Sequence, residues 1–202
     1  LGKELEKNKE KLLDAMGTYR KFLETDLSGC NGDFATGKEL FDELLSDDYM
    51  LDCKSEEILS TGKSLFERTV KKLEELAYNI DRTRTWKEIY SDIRLQHPSP
   101  EKVIDTYRQY MEKAKNFVIE KDLMDIPQDQ TIEIKASPEF LRKIMPTAAY
   151  NPPALLDKFK SGIFMVTPVD TSEEPEKIEA HLRDHNTAEI ITTTLHEAYP
   201  GH

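Results

Sequence analysis

The sequence predicts a mainly helical α+β fold, long helices with a small β element. Two observations carry that expectation. Apolar residues recur every three or four positions through about the first 120 residues, which is the period of a helix with one buried face. Two short runs, 131–135 and 162–167, are instead patterned as strands, and helical spacing returns after residue 175.

Leu5, Leu12, Met16, Tyr19 and Leu23 place an amphipathic helix over residues 2–26, ended by the turn-forming cluster Ser28, Gly29, Asn31, Gly32 and Asp33. A short helix follows over 36–46. Ser55 before Glu56 and Glu57 reads as the N-cap of a long helix whose stripe runs from Ile58 to Ile80. Thr85 and Glu88 have capping-box spacing, and Ser99 with Pro100 opens another helix with Val103, Tyr107, Met111, Phe117 and Val118 on its buried face. Thr131 to Lys135 alternate as a half-buried strand does, and Gly162 to Thr167 form a second β-like run able to pair with the first. The proline-punctuated stretch between them, through Pro146 to Pro153, reads as loop with a helical turn after Pro138. Helices then start at Pro175 and, capped by Asn186 with Glu189, at 187. The segments are thus 1–126, helical; 127–170, small sheet and Pro-rich loop; and 171–202, helices. They are expected to form one structural unit.

Composition excludes several classes. With 28 basic and 39 acidic side chains in 202 residues, the net charge is -11, which opposes the nucleic-acid backbone and removes it as a partner. No stretch approaches the about 18 consecutive apolar residues of a spanning helix, so the chain as given is not transmembrane. Cys30 and Cys53 are the two cysteines, and one bridge between them is open. The chain starts without Met or an export-like segment and stops inside a chemical motif, so it is expected to be a piece of a longer protein.

That motif is His196-Glu197-Ala198-Tyr199-Pro200-Gly201-His202. Two histidines four apart on a helix share a face and can bind one metal ion. Here they are six apart, and at about 100° per residue His202 lies roughly 240° round a straight helix from His196. Chelation therefore needs a distortion. Pro200 has no N–H to continue the helix, and Gly201 can take backbone angles that other residues avoid. The Pro-Gly pair is read either as an ordinary helix stop or as a bulge that swings His202 back toward His196.

The string resembles the HExxPGH signature of the bacterial domain-of-unknown-function family 885, which is similar to gluzincin-type zinc metallopeptidases. Asn31 to Phe34, Gly37 to Phe41, Tyr150 to Pro153 and Gly162 to Pro168 resemble further family elements in the same order. The resemblance covers nearly the whole chain, as the N-terminal portion of the pattern truncated at the motif. It implies long helices belonging to a gluzincin-like fold and a zinc enzyme hydrolysing peptide substrates. His196 and His202 would be the zinc ligands and Glu197 the general base for a zinc-activated water. The family pattern has one more histidine, and gluzincins take a third ligand, usually a Glu, from a later helix. Neither is in this chain. The fragment itself is therefore expected to be inactive, with the intact protein the enzyme. The resemblance also favours the cell envelope or secretion, as a lipoprotein, over the cytoplasm.

Beside this stand a substrate-pairing role for the strand with Gly162 and Phe164, and oxyanion donation by Tyr150 and Tyr199, against simple ring packing. His181, Asp184 and His185 read as a solvated helix face. Two alternatives to a peptidase are a non-catalytic helical peptide-binding or scaffold module and a zinc amidase or esterase.

Overall fold

A computed structural model describes residues 2–127, 130–154, 156, 158 and 160–202, with the side chain at position 3 excepted. The chain is mainly helical with one small sheet, as its sequence patterning predicts. It divides into two compact units, Leu1–Arg68 and Thr69–His202, and the division falls inside a helix rather than at 126/127 or 170/171.

In the first unit, α1 (Gly2–Thr25) carries the expected stripe, but that stripe is not covered: Leu5, Leu12, Met16, Tyr19 and Leu23 are 40% to 70% exposed. The next helix, α2 (Lys38–Glu43), starts after Gly37, whose φ of +81° favours glycine, and continues as a π-helical turn to Asp48 that buries Leu45. Ser55 is the first residue of α3 (Ser55–Ile80) and not its cap. Its N–H donates to Asp42 Oδ1 at 2.8 Å, tying the start of α3 to α2. Cys30 and Cys53 are both free thiols.

The second unit holds the rest of α3, then α4 (Trp86–Ile93), α5 (Val103–Glu120), strands β1 (Gln130–Ala136), β2 (Ala148–Asn151) and β3 (Lys160–Val166), α6 (Pro175–Asp184) and α7 (Thr187–Glu197). Thr85 and Glu88 form the reciprocal capping box their spacing predicts. The sheet order is β1-β3-β2, with β1 parallel and β2 antiparallel to β3. β2 corrects the reading of 146–153 as loop. Ala148 and Ala149 lack β-branched alternation, and only pairing with β3 makes this segment a strand.

The core lies between the sheet and helices α5 and α7. Val103, Tyr107, Met111 and Val118 from α5 meet Ile134, Phe164 and Val166 from the sheet and Ile190 from α7. Phe117, expected on that face, is instead exposed, because it falls off the stripe that the other four follow at steps of four, four and seven.

His185 corrects a second expectation. It is wholly buried, not solvated, with Nδ1 3.2 Å from Tyr107 Oη and its ring 4.9 Å from that of His181. Burial first, and then the neighbouring His181, push its pKa down to about 4, while Asp184 and the Thr167 backbone oppose only in part. The unfolded chain protonates this group near 6.5 and the folded chain near 4. Stability is therefore complete above pH 6.5 and declines as the pH falls through that window. The share due to His185 should be about 3 kcal/mol at about pH 4. Urea unfolding of wild type and His185→Gln at about pH 7.5 and about pH 4 checks this. An equal acid-induced loss in both proteins would refute the assignment.

Candidate metal centre

Helix α7 carries the motif. Asn186 caps it by accepting from Glu189 N–H at 3.1 Å, and buried Ile190 and Thr194 hold its inner face against the core. The helix ends at Glu197, and Ala198 leaves helical geometry at φ -132°, ψ -92°. The chain then folds back over the last turn: Gly201 N–H donates to Leu195 O and His202 N–H to His196 O, each at 3.0 Å. Those bonds span six residues, the spacing of the two histidines, so the Pro-Gly pair belongs to a return and not to a simple stop. A Cβ at position 201 would lie 1.9 Å from the His196 carbonyl oxygen, so this close approach requires glycine.

The return cancels the roughly 240° offset of a straight helix. The imidazoles of His196 and His202 stand 5.1 Å apart and nearly perpendicular. Glu197 Oε2 is 4.0 Å from His202 Nε2, and one ligand atom from each of the three residues lies within 4.8 Å of the others. Among the described residues this is the one cluster of three or more His, Cys, Asp or Glu side chains so disposed. The histidines are exposed and Glu197 is half-buried. Two imidazole nitrogens with an adjacent carboxylate suit zinc, and tetrahedral zinc separates its ligand atoms by about 3.4 Å, within reach of small side-chain rotations.

Glu197 is tied to the sheet. Its Oε2 accepts the Tyr150 N–H at 3.0 Å, so that N–H points away from β3, along the outer edge of β2. The Tyr150 ring stacks on the His202 imidazole at 5.7 Å with 6° between planes.

All 202 residues match the family described as bacterial protein of unknown function, DUF885. The chain belongs to the DUF885 family. Two solved structures resemble this DUF885 chain in fold. One, titled a "putative lipoprotein of unknown function", is from Shewanella oneidensis (TM-score 0.68, 17% identity, 96% of this chain and 35% of that one). The other, titled a "putative lipoprotein", is from Colwellia psychrerythraea (TM-score 0.64, 16% identity, 83% and 28%). The DUF885 chain thus spans about a third of the length of these structures. No curated protein matches it.

Three residues expected to touch substrate do not fit that role in the DUF885 chain. β3 is the central strand, its backbone paired on both sides from Ile163 to Val166, so substrate cannot add to it there. Phe164 is fully buried, edge-on to the Tyr107 ring. Gly162 is buried beneath the ring of Tyr150. Tyr199 is 5% exposed and sits in the core, with Lys115 Nζ 5.8 Å from its ring centroid. Burial first, and then Glu112 and Tyr150, raise the Tyr199 phenol, and it is the place of its ring in the core that fits packing and not an oxyanion contact. The outer edge of β2 beside Glu197 is what sequence reasoning missed. Its one local signal is Tyr150, aromatic between two prolines.

Proposed function

We propose that this DUF885 chain carries the metal-binding helix and general base of a gluzincin-type zinc hydrolase acting on peptide bonds. The observation that supports this is the convergence of His196, Glu197 and His202 ligand atoms within 4.8 Å, on a helix end folded back by Gly201. A zinc ion held there would supply Lewis acidity and lower the pKa of a water at the site to about 7. His196 and His202 would hold the ion through their imidazole nitrogens. Glu197 keeps Oε2 on the Tyr150 N–H and turns Oε1 to the water, whose proton it takes and passes to the leaving amine. Among the described residues β2 pairs with β3 alone, so an extended substrate would lie along its outer edge beside Tyr150, whose own N–H stays on Glu197. No fourth His, Cys, Asp or Glu joins the cluster among the described residues, and on the gluzincin reading the third protein ligand would be a Glu on a later helix.

The lipoprotein names of the two structural relatives favour the cell envelope as the place of action. Among the described residues, no helix is long and apolar enough to cross a membrane.

The test is calorimetric titration with zinc, followed by digestion of a mixed peptide library by the full-length protein with and without a chelator. One zinc per chain and chelator-sensitive cleavage are expected. Absence of zinc binding by the folded full-length protein overturns the proposal. Zinc binding with hydrolysis of esters or non-peptide amides alone reassigns the bond.

A further inference from the structure

Tyr150 touches both halves of the motif through different parts of one residue. Its backbone N–H donates to Glu197 Oε2 at 3.0 Å, and its ring lies parallel to the His202 imidazole at 5.7 Å. The ring needs room on the sheet, and Gly162 provides it: a Cβ there would lie 2.1 Å from Tyr150 Oη and 2.4 Å from Cε2. Residues 150 and 164 are paired across β2 and β3, so Tyr150, Phe164 and Gly162 share the sheet face that meets the helices. Phe164 is held in the core edge-on to Tyr107, and the Tyr150 ring runs along β3 over Gly162. An exposed imidazole rotates about χ1 and χ2, and His202 lies beyond the helix, where its ring meets the edge of His196, the Glu197 carboxylate and, face to face, the Tyr150 ring.

We infer that Tyr150 is the positioning residue of this centre, fixing the Glu197 carboxylate by its N–H and the His202 imidazole by its ring face, with Gly162 as the gap that seats the ring. The inference rests on the zinc-site reading above and deepens it. It assigns the work to the ring and the backbone, so the phenol oxygen is dispensable for metal binding. Outer-shell partners of this kind orient ligands that would otherwise lose entropy on binding.

The test uses four proteins: wild type, Tyr150→Phe, Tyr150→Leu and Gly162→Ala. Zinc affinity is read by competition with a chromophoric chelator, and His202 ring-proton shifts are read by NMR on metal-free, histidine-labelled protein. Tyr150→Phe should bind zinc as wild type does and keep the ring-current displacement of the His202 protons. Tyr150→Leu and Gly162→Ala should lose that displacement and bind zinc about 10- to 100-fold more weakly, although neither alters a ligand. Wild-type affinity in Tyr150→Leu, or His202 shifts that do not change on removing the ring, would overturn the inference. A phenol role in metal binding would show instead as weakened zinc binding in Tyr150→Phe. If wild type binds no zinc while the ring-current displacement is present, the metal reading itself fails, and the positioning role fails with it.

Discussion

Glu197→Gln in the full-length protein should lower zinc-dependent kcat by about 1,000-fold, within the range of a lost general base, while leaving KM and zinc affinity nearly unchanged. The amide oxygen can still accept the Tyr150 N–H that holds the carboxylate at 3.0 Å, so the side chain keeps its place on the edge of β2. His196 and His202 are untouched. What disappears is the ability to take a proton. A fall in kcat with constant KM is the signature of an interaction made only in the transition state. Full activity in the variant would remove Glu197 from the mechanism. Loss of zinc along with activity would make the carboxylate a ligand and not a base.

Gly201→Ala should weaken zinc binding by more than about 100-fold, beyond the range of outer-shell changes, because it separates the two histidines. The added Cβ would meet the His196 carbonyl oxygen at 1.9 Å, its carbon at 2.5 Å and the Leu195 oxygen at 2.6 Å, all backbone atoms that cannot rotate away. The bonds from the 201 and 202 N–H groups to Leu195 and His196 must therefore break. His202 then leaves Glu197 and the Tyr150 ring together. The ladder bonds of the sheet do not involve residues 201 and 202, so circular dichroism should show an intact fold. Zinc titration and thermal melting separate the outcomes. Wild-type zinc affinity in a folded Gly201→Ala protein would mean that the histidines do not act as a pair.

The periodic parts of the chain were legible because burial of one face imposes a period on the residues that form it. The four-residue steps from Val103 to Tyr107 and Met111, the alternation of β1, and the caps at Thr85 and Asn186 are local consequences of backbone geometry. The motif was legible as a set of residue types, and its Pro-Gly pair as a place where a helix stops or bends. The sequence did not decide between those two, because the choice depends on whether the chain after Glu197 finds bonds on the helix it has just left. Only the tertiary structure supplied them, at the Leu195 and His196 carbonyls.

The same holds for Tyr150 and His185. Ala148 to Asn151 have no strand pattern of their own and become an edge by pairing with β3, which alone brings the Tyr150 N–H to Glu197 across 47 residues of sequence. β3 was read as a strand from its composition, but its central position, which closes it to substrate, comes from a neighbour that has no local signal. His185 has the spacing of a solvated face with His181, and it is buried because Tyr107 reaches it from α5, 78 residues away. By itself the sequence determined the helices, two of the three strands and the chemical inventory of the site, since those follow from short-range periodicity and residue type. The tertiary structure decided which groups meet, since that depends on contacts between residues distant in the chain, which leave no period to read.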